Sequence, residues 1–133
     1  ESLFSMIDYF TPNETETSFY VDHDVETHED AEKAAMKLLE KGIKNVVITL
    51  GEKGAFFANS EEKFSLPIAN LSNPVVDTTG AGDAFNAGFA AALTEGQNIK
   101  DALKFASATA GLSTTKIGTA NSMPSREEIE KLL

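Results

Sequence analysis

The sequence predicts an α/β fold, and three observations carry that prediction. Short, nearly continuous apolar runs, "NVVITLG" and "PVVD", suit strands buried on both faces of a parallel sheet. Longer stretches space their apolar residues as a helix face does. Glycines sit where strand gives way to helix, and the predicted order is strand–helix–strand–hairpin–strand–helix–helix–helix.

The opening "SLFSMIDYF" is mostly apolar and ends in a β-like stretch, Ile7 to Phe10, stopped by Thr11-Pro12. Pro12 removes a donor and biases Thr11 towards extended geometry, so the chain turns there. "THEDAEKAAMKLLEKG" then predicts an amphipathic helix. Ala31, Ala34, Ala35, Leu38 and Leu39 form its apolar face, Thr27 caps it and Gly42 ends it. After "NVVITLG", the stretch "GAFFANSEEKFSLPI" predicts a hairpin turning at Asn59 to Glu62.

"PVVD" predicts another buried strand, leading through "TTGAG" into a helix with Phe85, Phe89, Ala92 and Leu93 on one face. "NIKDALKFASATAGLSTTK" predicts a further helix that turns Ala102, Phe105, Ala106, Thr109 and Ala110 inward. "SREEIEKLL" begins with a capping box, Ser125 followed three residues later by Glu128. Met6, Met36 and Met123 read as core or loop filler, and His23 and His28 as surface residues of an acidic segment.

Composition narrows the function classes. At 133 residues and 41% hydrophobic, the chain can bury a modest core in one domain. No apolar run approaches the ~20 residues of a membrane span, and the start lacks the basic region of a signal peptide. The lack of cysteine excludes a disulfide framework or thiolate metal site and fits a cytoplasmic location. A net charge of −10 argues against a nucleic-acid partner, because phosphate backbones are held mainly by clustered Lys and Arg.

The stretch "NPVVDTTGAGDAF" (73–85) needs more than a packing explanation. In open α/β sheets ligands bind outside the carboxyl ends of the strands, which is where this loop falls in the predicted order. Gly80 and Gly82 allow positive φ and close approach to the backbone. The first amides of the following helix would then point at one place, with the helix dipole adding positive potential. That arrangement suits charge developing on a phosphoryl group. Asp83 adds a carboxylate that could deprotonate an attacking hydroxyl. Taken alone, a GxGD is equally an ordinary acidic first turn.

The longer string decides it. "DTTGAGDAF" after an apolar run resembles the signature of the PfkB or ribokinase-like carbohydrate kinases, with ribokinases the nearest subfamily. "TPNETE" at 11–16 resembles that family's N-x-x-E segment, "ITLGEKG" at 48–54 its nucleotide-side strand and loop, and "PSREEI" its terminal helix. Order and spacing match over essentially the whole chain. The resemblance implies the C-terminal nucleotide-binding portion of a parallel-sheet sandwich with a β-hairpin.

It also implies roles. Asp83 would be the base that takes the proton from a sugar's primary hydroxyl, and Gly80, Ala81 and Gly82 would supply anion-hole amides for the transferring phosphoryl. Thr49, Gly51 and Gly54 match the ATP-binding strand end and turn, and Ser107 a position near the adenine. Asn13 and Glu16 match the segment that organises Mg²⁺ and phosphate. Asp77 and Thr79 match the start of a K⁺ loop that Ser113, Lys116, Gly118 and Ser122 complete, largely through carbonyls. Ser113 departs from the small apolar residue expected there, which a carbonyl ligand tolerates.

In this family the sugar is held mainly by the N-terminal half, whose β-sheet lid often pairs subunits, implying a homodimer. Nothing in 1–133 resembles that half. The chain also begins without Met inside an apparent element, and so reads as a fragment or processed product. Two function classes follow: a sugar kinase, most simply for ribose with fructokinase or nucleoside-kinase specificity as alternatives, or a non-catalytic nucleotide- or anion-binding module.

Overall fold

The structure, a computed structural model, describes residues 3–133. The chain divides into two compact units, one up to Pro67 and the other Ile68–Leu133.

The first unit is a four-stranded mixed sheet with two helices. Strand β1 (Tyr9–Phe10) pairs parallel with β2 (Asn45–Thr49), in the register Tyr9↔Asn45 and Phe10↔Val46. Helices α1 (Glu14–Val21) and α2 (His28–Glu40) lie between those strands in sequence. Strands β3 (Ala55–Asn59) and β4 (Lys63–Leu66) then add antiparallel in the order β1-β2-β3-β4. The expected hairpin is present. At its turn the Asn59 side-chain oxygen accepts from the amides of Glu61 and Glu62, both at 2.8 Å. β2 thus pairs parallel on one side and, through the expected hairpin strand β3, antiparallel on the other, so this four-stranded sheet is mixed.

Alternation along β2 explains why its run is continuously apolar. Val46 and Ile48 join the core formed with Phe56, Ala58 and the inner face of α2, while Val47 pairs across to Phe57 on the opposite face. All six of these β2 and β3 residues are buried. Ala31, Ala34 and Ala35 are fully buried, and their small side chains bring the α2 backbone close to the sheet. Leu38 supplies the larger payload, about 2 kcal/mol for a fully buried side chain of its size. Thr27 and Asp30 form a capping box at the start of α2, and Gly42 follows its end at φ 104°.

The second unit is helical: α3 (Ala81–Thr94), α4 (Ile99–Ser113) and α5 (Arg126–Leu132). The expected inward faces are buried, with Leu93 and Ala110 only half-buried. Ser125 and Glu128 form the expected capping box of α5. Arg126 fastens α5 through both Glu95 carboxylate oxygens, a 2.9 Å bond to Glu130 and a guanidinium 5.2 Å from the Phe105 ring centroid.

Two expectations fail here. "PVVD" is not a strand and is not buried: Val75 and Val76 are 58% and 55% exposed. No described strand pairs with it, and its backbone is held instead by one carbonyl, that of Thr114, which accepts from Val76 (2.8 Å) and Asp77 (3.1 Å). Met6 and Met36 are exposed rather than core filler.

Gly88 sets how closely α3 and α4 pack. A Cβ there would lie 2.6 Å from the Thr109 hydroxyl oxygen and 3.1 Å from the Ala106 Cα. Gly88→Ala is therefore expected to destabilise the fold by about 1–3 kcal/mol through overpacking, outweighing the gain in helix propensity. Urea unfolding of the two proteins measures the difference, and an unchanged midpoint would contradict this packing.

Candidate active site

In the first unit, the predicted residues gather where β1 and β2 end. Thr49 donates its amide to the Pro12 carbonyl at 3.0 Å, and Asn13 and Thr49 form one further parallel bridge beyond the named strands. Asn13 and Glu16 are bound to each other. The Asn13 side-chain oxygen accepts the Glu16 amide at 2.8 Å, and Glu16 Oε2 accepts the Asn13 amide at 2.9 Å. The N-x-x-E segment is thus the capping box of α1. Its second carboxylate oxygen, Oε1 of Glu16, has no hydrogen-bond partner among the described residues, and both side chains are exposed.

Beyond Thr49 the chain makes a single 3₁₀ turn, Gly51–Lys53. Leu50 and Gly54 close it with a 2.8 Å bond from amide to carbonyl, and Gly51 and Gly54 take φ of 53° and 91°. Those values explain the two glycines, since a Cβ would strain both.

In the second unit, the loop 77–83 is organised by Asp77. Its carboxylate accepts the Thr79 amide at 2.9 Å through one oxygen and the Gly118 amide at 3.0 Å through the other. The Thr79 hydroxyl, then the Gly118 and Thr79 amides, pull the carboxyl down from an ordinary 3.8 to about 2. Gly80 stands at φ 78°, where a Cβ would lie 3.0 Å from the Thr119 methyl. Gly82 corrects the sequence expectation: its φ is not positive, it belongs to the first turn of α3, and a Cβ there would meet nothing within 4 Å.

The loop leaves donors open at the start of α3. Gly80 offers no side-chain cap. The Ala81 amide is engaged with the Thr78 carbonyl at 3.1 Å, so among the described residues the amides without an acceptor are those of Gly80, Gly82 and Asp83. The sequence pointed to Ala81 in place of Asp83, because the 3₁₀-type bond from Thr78 is invisible in the string. Asp83 itself lies in the first turn, exposed, with no hydrogen-bond or ion-pair partner among the described residues.

The remaining predicted residues are distributed around this loop. Ser113 is buried at the end of α4, bonded to the Ala110 carbonyl at 2.7 Å, one residue before the carbonyl that holds Val76 and Asp77. Ser122 is fully buried and donates to the Thr119 carbonyl at 2.6 Å. The Lys116 ammonium is engaged with Glu128 at 3.2 Å. Ser107 is half-buried on α4, with no hydrogen bond to the 77–83 loop. No group of three or more His, Cys, Asp or Glu among the described residues is arranged to hold a metal ion, and no described helix is long and apolar enough to cross a membrane.

Residues 1–126 match the family described as pfkB family carbohydrate kinase. The chain belongs to that family. It is 41% identical, over its whole length, to the ribokinase of Haemophilus influenzae, of which it covers 43%. Among solved structures, Arabidopsis thaliana ribokinase complexed with ribose and ATP is 40% identical with a TM-score of 0.91, matching 98% of this chain and 42% of that one. Phosphofructokinase-2 of Escherichia coli in complex with potassium is 25% identical with a TM-score of 0.83, matching 97% of this chain and 41% of that one. The chain spans less than half the length of these relatives, and its fold is correspondingly part of a ribokinase fold.

The Asp77 geometry has a definite pH signature. A carboxyl lowered from 3.8 to about 2 contributes stability that is fully present above its ordinary value and is lost as the pH falls through about 2. Asp77→Asn is therefore expected to lower stability at neutral pH and to flatten the acid limb between about pH 4 and pH 2. Melting temperatures of both proteins across that range test it. Parallel curves would mean that Asp77 does not hold the loop.

Proposed function

We propose that the chain is the nucleotide-binding, base-bearing portion of an ATP-dependent kinase that phosphorylates the primary hydroxyl of a sugar, ribose first among candidates. One observation supports this most directly. In a member of this family, an exposed carboxylate without a partner stands in the same helical turn as backbone amides without acceptors. Any helix start leaves amides open and favours an acidic residue, so it is the family match that turns this pairing into a candidate base beside an anion site.

In this reading Asp83 accepts the proton of the sugar hydroxyl as its oxygen attacks the γ-phosphoryl of ATP and the bond to the bridging oxygen breaks to release ADP. The phosphoryl charge grows beside the helix terminus, where the open amides of Gly80, Gly82 and Asp83 donate to it. Asn13, Thr49, Gly51, Gly54 and Ser107 bind ATP, with the glycines keeping backbone close to the nucleotide. Mg²⁺, which neutralises phosphate charge when bound, would be held through water by Glu16 and by Asn13, and the free Oε1 of Glu16 fits a cation that keeps most of its waters. K⁺ would be held at Asp77, Thr79, Ser113, Lys116, Gly118 and Ser122, largely through their backbone carbonyls. A carboxylate kept ionised down to about pH 2 fits a cation site, as does potassium in the phosphofructokinase-2 relative.

The sugar's own contacts and a subunit-pairing lid would lie in the part of the relatives that these residues do not match. Positioning is a large share of the barrier reduction in phosphoryl transfer. The 133 residues alone are therefore expected to turn over little or no ribose, and to melt at higher temperature when Mg-ATP is added. Ribose turnover at an ordinary kinase rate by these residues alone would contradict the first expectation, and an unshifted melt the second.

The base is tested in a polypeptide of the relatives' length carrying this sequence. Asp83→Asn is expected to cut turnover by about 10²–10⁴-fold while ATP still binds. Retained turnover would remove Asp83 as the base. Nucleotide binding without turnover in the unsubstituted protein would favour a binding module.

A further inference from the structure

The turn Gly51–Lys53 is tied to the start of α2 by two hydrogen bonds running in opposite directions. His28 Nε2 lies 2.9 Å from the Lys53 carbonyl oxygen, and Lys53 Nζ donates to the Glu26 carbonyl at 2.7 Å. A carbonyl can only accept, so Nε2 is the donor in this contact. Nδ1 is buried with no hydrogen-bond partner, a condition rare in folded proteins. The ring is thus oriented for its Nε2 contact at the expense of its other nitrogen.

The anchor is itself fixed. Asp30 Oδ2 accepts the Thr27 amide at 3.1 Å and the Thr27 hydroxyl at 2.7 Å, completing the α2 capping box. Glu26–His28 is therefore a rigid point on a helix whose inner face is fully buried. The turn it holds is closed by its own backbone bonds between Leu50 and Gly54, but Gly51 and Glu52 are exposed, both glycines sit at positive φ, and glycine loses more freedom on ordering than any other residue.

We infer that His28 is a positioning residue for the nucleotide turn, latching the Lys53 carbonyl, and with it Gly51 and Gly54, onto the capped start of α2. This rests on the reading of that turn as part of the ATP site. His28 touches no reacting atom. It reduces the conformational freedom that ATP would otherwise have to remove on binding.

The test compares the 133-residue chain with His28→Ala and His28→Gln. Glutamine's terminal amide can donate to the same carbonyl. Two quantities are measured: amide hydrogen exchange at Lys53 and Gly54 relative to Val46–Ile48, and the Mg-ATP dissociation constant well below the melting temperature. His28→Ala is expected to raise exchange in the turn selectively and to weaken Mg-ATP roughly fivefold, the scale of one lost neutral hydrogen bond, with His28→Gln restoring both. Exchange rising equally along the sheet, or an unchanged turn, would overturn the latch. Selective loosening with unchanged Mg-ATP affinity would overturn its positioning role. Absence of Mg-ATP binding in the unsubstituted chain would instead sink the nucleotide reading, while exchange still decides whether the latch exists.

Discussion

The second unit depends on how an irregular loop is held without a ladder. Residues 76–83 pair with no described strand, yet they must present α3 at a fixed angle. The constraint is concentrated at Asp77, whose amide goes to the Thr114 carbonyl and whose two carboxylate oxygens take the amides of Thr79 and Gly118. One residue thus joins the approach to α3, the end of α4 and the segment that follows. Remove the carboxylate's charge and two backbone donors lose a charge-assisted partner together, so the loop fails as a unit. Positive φ at Gly80 then turns the chain into the helix against Thr119.

Much of this was legible in the sequence, because the signals were local. Thr27, Ala31–Leu38 and Gly42 encode a cap, a face and a stop, and α2 follows them. Asn59 at the hairpin and Ser125 with Glu128 at α5 work through side-chain to backbone bonds only two or three residues long. The rest depends on partners that the string does not display. "PVVD" has the composition of a buried strand, but being a strand requires a neighbour, and in these residues its neighbour is one helix-end carbonyl. Nothing in the string shows that the Thr78 carbonyl accepts the Ala81 amide.

The miss at α1 is more instructive. Asn13 and Glu16 have the spacing of a capping box, the same signal that was read correctly at Ser125 and Glu128. Helix α1 leaves little trace in the apolar pattern because its buried face is only Thr17 and Val21. His28 was likewise set among surface residues on the strength of its acidic neighbours, whereas its partner is the Lys53 carbonyl, 25 residues away.

That capping role changes how the N-x-x-E segment should be understood. A residue that only bound cation or phosphate would be free to move with its ligand. Here the backbone amide of each partner is spent on the other's side chain, so the position of Glu16 is set by helix α1 before any ligand arrives. The bridge from Asn13 to Thr49 then carries that fixed geometry onto the end of β2, and the turn after it. Structural capping and ligand binding are compatible because a carboxylate has two oxygens, and the cap uses one. Asp77, by contrast, has an amide on each carboxylate oxygen and so shapes the loop first of all, while Asp83 has no partner among the described residues.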